Sequence, residues 1–335
     1  MLSARSGPLG LGDLLDGAFR IYRANFVRLT LLAALFYVPL GLLSTLLLGG
    51  AVGNYADLLG VAANEPFYGD SSAAAAGAAL FFFGAVLAIS LLTMVCSVLA
   101  YLSLVAQTLA LTNGGELSMG QSIRAGLRHF WRFLGMALIA GVMFGVVATA
   151  AYMAMIFVFF MFAVVAGLAI APVSDNEIVM VGFTGLMILV VLALTAILAL
   201  PLLTLAARWL AAPVALVAEE QGPLAALGRS WRLTERQTWR SILYVVLLGV
   251  LNFVALGLPV ALLQWLLLIA LTPSMFDAVS GLVAGLSFLL NILWLPFMTI
   301  ALTLLYFDLR VRRESYDLEL QVAALEAELR PATLP

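Results

Sequence analysis

Residues 222–232 read Gly-Pro-Leu-Ala-Ala-Leu-Gly-Arg-Ser-Trp-Arg and lead directly into a long apolar run. Similar arginine-bearing amphipathic segments run from Gly12 to Tyr22 and from Gly120 to Phe130. Each of these three interfacial segments is followed by two hydrophobic stretches, which indicates an internal repeat of roughly a hundred residues. The predicted repeats span about 11–111, 119–217 and 223–307.

The composition excludes a water-soluble domain. Of the 335 residues, 64% are hydrophobic and 10% are charged, whereas ordinary globular chains carry about 25% charged residues. Apolar runs longer than the ~20 residues needed to cross a bilayer recur along the chain. The predicted fold is therefore all-α, a polytopic integral membrane bundle of six long transmembrane helices with interfacial amphipathic helices. The six apolar stretches are Phe26–Gly50, Ala73–Leu111, Phe133–Pro172, Val179–Ala218, Ser241–Leu271 and Val279–Phe307.

Charge separates the linkers between these stretches into two groups. Residues 51–72, 174–180 and 272–277, the arginine-free linkers, contain carboxylates but no basic residue, while the other linkers are rich in arginine. The positive-inside rule therefore predicts that both termini lie in the cytoplasm. The predicted domains are an N-terminal cytoplasmic interfacial helix (1–25), a six-pass transmembrane domain (26–307) and a cytoplasmic C-terminal amphipathic helix with a tail (308–335).

Each repeat contains an even number of passes, so all three copies share one orientation. This predicts parallel repeats around a pseudo-threefold axis along the membrane normal. The second, third and fourth stretches, about 40 residues each, exceed the ~30 Å hydrocarbon core if helical. A hairpin within any of them would reverse the charge pattern downstream, so each is predicted to be one long pass. Pro201 and Pro213 are expected bend points in the fourth.

The interfacial segments supply the main candidate binding residues. Arg20, Arg128 and Arg232, the arginine collar, occupy equivalent places next to Phe19, Leu127 and Trp231. Guanidinium groups at headgroup level bind lipid phosphate and attract anionic lipids. The predicted headgroup site consists of the collar together with Trp231. Plain anchoring of the segments at the interface is the alternative interpretation.

Three further positions carry polar groups into the apolar stretches. Asn252 in the fifth and Asn291 in the sixth predict either an interhelical hydrogen bond or a polar patch in a cavity. Arg208, in the last third of the fourth, either extends its side chain to the inner headgroups or pairs with Asp308 at the cytoplasmic end of the sixth.

The sequence offers little for catalysis. His129 is the only histidine and Cys96 the only cysteine, so neither a multi-histidine nor a thiolate metal site is expected. We interpret His129 as a solvated or headgroup-facing ring and Glu219-Glu220 as a solvated turn. No catalytic, cofactor or metal site is predicted.

Three motifs carry a resemblance to a known family: Leu-Gly-Asp-Leu-Leu-Asp-Gly-Ala-Phe-Arg-Ile-Tyr-Arg-Ala-Asn-Phe near the start, Ala-Leu-Gly-Arg-Ser-Trp-Arg-Leu in the middle, and Asp-Leu-Arg-Val-Arg-Arg-Glu-Ser-Tyr-Asp-Leu-Glu near the end. Together they resemble the bacterial membrane-domain family named for glycerophosphoryl diester phosphodiesterases. Some members carry this domain ahead of a soluble phosphodiesterase barrel, and many stand alone. The resemblance implies a bacterial cytoplasmic membrane protein. Nothing in this chain corresponds to the catalytic barrel, so no catalytic residue is transferred.

Three functional hypotheses follow. The first is a non-enzymatic protein that organises or binds lipids, anionic lipids among them, or other membrane proteins. The second is an uncoupled transporter or channel for an amphiphilic or lipid-derived solute, and the third is a phosphodiesterase-related enzyme. No nucleic-acid partner is expected. A short heptad seam after residue 317 predicts either pairing with another subunit or docking onto the protein's own bundle; its members are Leu318, Val322, Leu325 and Leu329.

Overall fold

The computed structural model describes residues 10–64, 70–170, 177–270, 273–314 and 322. Apart from short connections this part of the chain is helical and contains no strand. A five-residue π-helical segment, Phe253–Gly257, joins α8 to α9. The helices are α1 (Leu11–Ala24), α2 (Phe26–Asn64), α3 (Asp70–Thr112), α4 (Met119–Ile170), α5 (Glu177–Trp209), α6 (Ala212–Ala218), α7 (Pro223–Thr234), α8 (Thr238–Asn252), α9 (Leu258–Ala270) and α10 (Pro273–Glu314).

Six helical stretches within the described residues are long and apolar enough to cross a membrane. The fourth span combines α5 with α6, and the fifth combines α8, the π-helical segment and α9. The predicted all-α polytopic bundle with six long spans is therefore confirmed. The spans are Phe26–Leu47, Ala79–Thr112, Met119–Phe162, Val181–Ala218, Thr238–Leu267 and Gly285–Arg313.

The second and third long apolar stretches each form one helix, and the fourth forms one span interrupted by a short turn, so each is a single pass as predicted. Helices α3 and α4 contain 43 and 52 residues without a turn back, and α4 is therefore roughly 78 Å long at about 1.5 Å per residue. The fourth stretch is interrupted at residues 210–211, just before Pro213 at the start of α6. Pro201 lies inside α5 and does not end the helix.

The three interfacial segments differ in how they join the spans that follow. The first is a separate helix, α1, which ends where the Asn25 side-chain amide donates a hydrogen bond to the Ile21 carbonyl (3.1 Å). The third is α7, separated from α8 by residues 235–237. The second is not a separate helix, because it forms the first turns of α4 and continues directly into the third span.

The spans pack in chain order around a closed ring. Each span contacts the next, and α10 returns to pack against both α2 and α3. The α2–α10 contact is close because it is made at glycines: a Cβ at Gly285 would lie 2.5 Å from Thr45 Oγ1, and one at Gly41 would lie 3.3 Å from Phe288 Cβ. The last span is thus held between the first and the second.

Burial is concentrated at one end of the bundle, which we call the arginine-rich end. There α1, α6, α7 and the first turns of α4 cover the ends of the spans, and the core includes Leu14, Leu104, Leu216 and Tyr306. In contrast, no described residue of 137–162 in α4 or of 181–204 in α5 is buried. Most of the apolar surface of these two helices is left without a partner inside the protein.

Both ends of the last predicted stretch, Val279–Phe307, differ from the prediction. Helix α10 begins earlier, at Pro273, and continues beyond Phe307 to Glu314. Of the predicted heptad seam, only Val322 lies within the described residues, where it is helical and exposed. The other three positions of the seam lie outside them.

The first arginine-free linker is shorter than predicted, because α2 extends to Asn64 and α3 begins at Asp70.

Candidate functional site

The candidate site is the arginine-rich end, where the three interfacial segments present the same faces. Two positions per segment, six and two residues before the collar arginine, are buried. The collar arginine and the residue before it are exposed in all three copies. The buried residues are Leu14, Ser122, Ala226, Ala18, Gly126 and Ser230. The residues before the collar arginines are Phe19, Leu127 and Trp231, with 58%, 53% and 43% of their surface exposed.

The buried face of each segment lies on the second span of the preceding repeat. In the first copy, a Cβ at Gly17 would lie 3.3 Å from Leu304 Cδ1 of α10. In the second copy, a Cβ at Gly126 would lie 2.5 Å from Ser103 Oγ of α3, so only glycine fits this position without a shift.

In the third copy, Ser230 Oγ donates a hydrogen bond to the Arg208 carbonyl at the end of α5 (2.7 Å). Thr234 Oγ1, one turn further along α7, reaches the same carbonyl at 3.3 Å. The three seams, α1–α10, α3–α4 and α5–α7, therefore follow one another cyclically.

The collar arginines share their exposure but not their partners. Arg128 donates to the Glu220 carboxylate (2.9 Å), and Arg132 donates to the Glu220 backbone carbonyl (2.9 Å). Glu220 adopts a positive φ of 51°, which places its carbonyl and carboxylate toward α4. Arg20 and Arg232 make no hydrogen bond or ion pair with another described residue. Two collar positions are thus free to meet an external anion, and the third is partly neutralised.

The predicted pair of Arg208 and Asp308 is wrong. The Arg208 guanidinium carbon lies 4.8 Å from the ring centroid of Trp231. The Asp308 carboxylate, only 1% exposed, accepts instead from Arg240 Nη2 (3.0 Å) and Arg312 Nε (2.9 Å). Charges at equal depth pair only if their helices face each other, and Arg240 begins the span that packs next to α10.

An equivalent cluster forms in the first repeat. Arg28 lies eight residues after its collar arginine, as Arg240 does, and it donates to the Glu116 carboxylate (2.7 Å) and to the Leu117 carbonyl. The amide of Gln107, oriented to satisfy its neighbours, accepts from Arg28 Nε (3.2 Å) and donates to the Leu117 carbonyl (3.1 Å). The shared spacing was the sequence signal for both clusters, and sequence reasoning missed it.

The interpretation of Glu219 as a solvated residue is also wrong. Its side chain is 17% exposed and accepts hydrogen bonds from Arg229 Nε (2.9 Å), Tyr306 Oη (2.6 Å) and Gln221 Nε2 (2.7 Å). It thereby ties the connection between α6 and α7 to α10. These contacts give Glu219 a structural role and leave little of its carboxylate for chemistry.

His129 is buried rather than solvated, with 4% of its surface exposed. Its Nδ1 donates to the Ala125 carbonyl one turn earlier (2.8 Å), and its Nε2 has no partner among the described residues. The prediction of a headgroup-facing ring is therefore wrong. The ring lies on the inner face of α4, one residue after the exposed Arg128.

On the first segment, Tyr22 packs edge-on against Phe26, with ring centroids 5.3 Å apart, and against Phe297 of α10, 6.3 Å away. Burial raises the pKa of the Tyr22 hydroxyl above its ordinary value. The residue therefore fixes α1 on α10 as a neutral side chain.

Among the described residues, no hydrogen bond connects the side chains of Asn252 and Asn291 to each other or to a common polar group. Asn291 donates to the Ser287 carbonyl of its own helix (2.8 Å). Asn252 is the last residue of α8, half-buried, directly before the π-helical segment. Several hydroxyls of the spans likewise donate to carbonyls of their own helices; these are Thr195, Thr204, Ser287, Thr299 and Thr303.

Within the described residues, no three His, Cys, Asp or Glu side chains come together in a group that could hold a metal ion. At the arginine-rich end, ion pairs with arginine use the carboxylates of Glu116, Glu219, Glu220, Glu235 and Asp308. Comparison of the chain with protein-family models, with curated proteins and with solved structures finds no match, so the resemblance to the membrane-domain family rests on the three quoted motifs alone.

Proposed function

We propose that this chain is a non-enzymatic protein of the bacterial cytoplasmic membrane that binds and organises membrane lipids, with anionic headgroups at its arginine-rich end. In this proposal the arginine-rich end and both termini face the cytoplasm, since arginine accumulates on that side of membrane proteins. The anionic lipids of the inner leaflet then meet the collar directly.

The observation that carries the proposal is that the three interfacial segments bury and expose the same positions. Each interfacial segment buries two positions on a neighbouring span and exposes an apolar or aromatic residue followed by arginine. An aromatic ring or leucine enters the apolar part of the interface, and the guanidinium meets the phosphate layer above it. Each near-surface basic residue contributes about 1 kcal/mol of attraction to an anionic leaflet.

The unburied lengths of α4 and α5 supply a second, apolar contact for lipids. Their windows of highest hydropathy bury none of their residues inside the protein. Apolar side chains of this kind are stable only against hydrocarbon, whether acyl chains or another membrane protein. The same molecule thus offers a charged rim for headgroups and long apolar helices for chains.

The test is native mass spectrometry of protein taken from membranes that contain anionic and zwitterionic lipids in equal amounts. We expect the wild type to retain anionic lipid preferentially. Replacing the collar with glutamine (R20Q/R128Q/R232Q) should reduce that preference, by tenfold for each 1.4 kcal/mol lost. The matched control replaces the same three residues with lysine, which keeps the charge and should keep most of the preference.

Equal anionic enrichment in wild type and glutamine variant, with equal thermal melts, would reduce the collar to an anchor. Loss of enrichment in the lysine variant as well would mean that the guanidinium geometry, rather than the charge alone, selects the lipid.

An uncoupled transporter or channel for an amphiphilic solute is the second candidate, and the π-helical segment after Asn252 favours it. Segments of this kind frequently occur at functional sites. The self-satisfied hydroxyls and Asn291 argue against a continuous polar path, because their donors are already used within their own helices. Passage of a fluorescent lysolipid across vesicles, lost in Asn252→Leu, would favour transport.

A further inference from the structure

Arg208 differs from four other arginines whose side chains are partly buried at this end. Arg28, Arg229, Arg240 and Arg312 each have a carboxylate partner. Arg208 has no acidic partner among the described residues, and its Nη1 is enclosed by protein without a hydrogen-bond acceptor. A guanidinium held out of water without an anion is unfavourable. The side chain therefore lacks one partner that its charge requires.

The guanidinium is held in place by aromatic rings. It stacks on Trp231 at 4.8 Å from the ring centroid, and Trp231 in turn lies 6.5 Å from Trp209, which packs edge-on against Phe144 of α4 at 5.8 Å. A cation over an indole face is attracted by the ring quadrupole. The stack orders the planar donors of Arg208 while Trp231 remains 43% exposed.

Docking of α7 does not explain why arginine is present here. In the other two seams the side chains nearest to Gly126 and Gly17 are Ser103 of α3 and Leu304 of α10, both uncharged. At the α5–α7 seam the hydrogen bond from Ser230 uses the backbone carbonyl of Arg208, which any residue would supply. The guanidinium adds one more contact across this seam, its stack on Trp231, and that stack does not supply a counter-charge.

The surface of α5 that leads away from Arg208 is apolar and open. Pro201 and Ile197 lie on the same face as Arg208 at helical spacing, and both are exposed. Arg208 is in the last turn of α5, on the side of the arginine-rich end. A phosphate at Arg208 would therefore continue into acyl chains lying along this face of α5.

We propose that Arg208, stacked on Trp231, binds the phosphate of a single anionic membrane lipid at the α5–α7 seam. This proposal rests on the proposed lipid-binding function and names one site within it. Because Nη1 is enclosed by protein, the phosphate would meet the edge formed by Nε and Nη2. Two parallel N–H donors of the planar guanidinium suit phosphate oxygens at this edge, and the phosphate supplies the missing counter-charge. The collar arginines recruit lipids around the rim, whereas the seam holds one of them.

The experiment uses the full chain in nanodiscs that contain equal phosphatidylglycerol and phosphatidylcholine. Native mass spectrometry counts the lipids that stay bound as collision energy rises. We expect one phosphatidylglycerol to persist on the wild type, and its retention to fall about tenfold, or 1.4 kcal/mol, in Arg208→Gln. Arg236→Gln is the matched control, because it removes one exposed arginine from the connection before α8 and should leave the persistent lipid in place.

Equal retention by Arg208→Gln and wild type would overturn the proposal. If Arg208→Gln does not fold, Arg208→Lys answers the same question: lysine keeps the charge without the fork, so retention equal to wild type would overturn the guanidinium site. Displacement of the persistent lipid by soluble glycerol phosphate at millimolar concentration would show that the site takes free phosphate esters and would overturn the assignment to a lipid.

The two lipid proposals fail separately. The collar variant lowers overall anionic enrichment and leaves the persistent lipid bound. Arg208→Gln removes the persistent lipid and leaves the overall enrichment unchanged. Loss of both together in Arg208→Gln would mean that Arg208 acts only by holding α7 in position.

Discussion

Replacing Asp308 with asparagine should destabilise the arginine-rich end more than any other single loss of a carboxylate there. The Asp308 side chain is 1% exposed and one of its oxygens accepts from both Arg240 and Arg312. Asparagine keeps the size of the side chain but removes its charge. Two neighbouring guanidinium groups would then lie close together, four-fifths buried, with their shared counter-ion gone.

The magnitude follows from the burial of the three groups. Removing one member of a buried ion pair typically costs about 3–5 kcal/mol, because the remaining charge is left uncompensated. Arg240 and Arg312 keep 19% and 21% of their side-chain surface exposed, so both can shift toward water. We therefore expect a loss near the lower limit, about 3 kcal/mol. With an unfolding entropy of about 2.1 cal/mol/K per residue, the 335 residues of the chain give a fall in Tm of about 4 °C.

The assay is thermal unfolding in detergent, followed by tryptophan fluorescence. Asp16→Asn is the matched control, because Asp16 is exposed on α1 and makes no ion pair with a described residue; such surface changes stay within about 0.5 kcal/mol. A double-mutant cycle with Arg240→Gln should give a coupling energy of about 1–3 kcal/mol.

A melting temperature for Asp308→Asn equal to that of Asp16→Asn would refute this reasoning. So would a cycle in which the two changes at Asp308 and Arg240 simply add, because the carboxylate and the guanidinium would then not act as a pair.

Three further predictions follow from the fold. Gly126→Ala should destabilise the protein by about 1–3 kcal/mol through overpacking, whereas Gly120→Ala, with open space around its new Cβ, should not; thermal melts of both variants decide this. Cysteines placed in the three arginine-free linkers should all be labelled from outside the cell, and a cytoplasmic location for any of them would contradict the six-pass orientation. The purified protein should hydrolyse neither glycerophosphodiesters nor phospholipids; turnover that survives repurification and disappears in a point mutant would contradict a non-enzymatic function.

The sequence was sufficient to predict the spans and interfacial segments because both depend on local chemistry. Hydrophobic length determines which stretches can cross a membrane, and amphipathic spacing marks a helix that lies at the interface. The equivalence of the three segments was also visible, since the collar arginines align without gaps between copies. In that alignment Leu14, Ser122 and Ala226 occupy the same position of their segments, and all three are buried.

The continuity of the second segment coincides with a difference in sequence at one position. Five residues after the collar arginines stand Asn25, Phe133 and Gln237. Asn25 ends α1 by bonding its side chain to a carbonyl of the preceding turn, and Gln237 precedes the first residue of α8. Phe133 has no polar group with which to compete for the backbone, so α4 continues through it.

The partners of the charged residues were harder to predict. The position of a residue within its span indicates how far it lies from the end of that span. It does not indicate which neighbouring helix the side chain faces. Arg208 and Asp308 lie at similar depth, yet Arg208 faces Trp231 and Asp308 faces Arg240. The predictions for Glu219 and His129 were wrong for the same reason. Both were predicted to be solvated because they lie near arginines and turns, but neighbouring helices and connections bury them in the structure.

The seam between α1 and α10 has a consequence for biogenesis. The ribosome delivers α1 first, but the span on which it packs is the last of the six to be inserted. Until then, the face that carries Leu14 and Ala18 has only lipid to cover it, and α2 lacks its most extensive neighbour. The ring is therefore completed in one late, long-range step that closes the first span onto the last. Chains released before α10 would contain the α3–α4 and α5–α7 seams but would remain open.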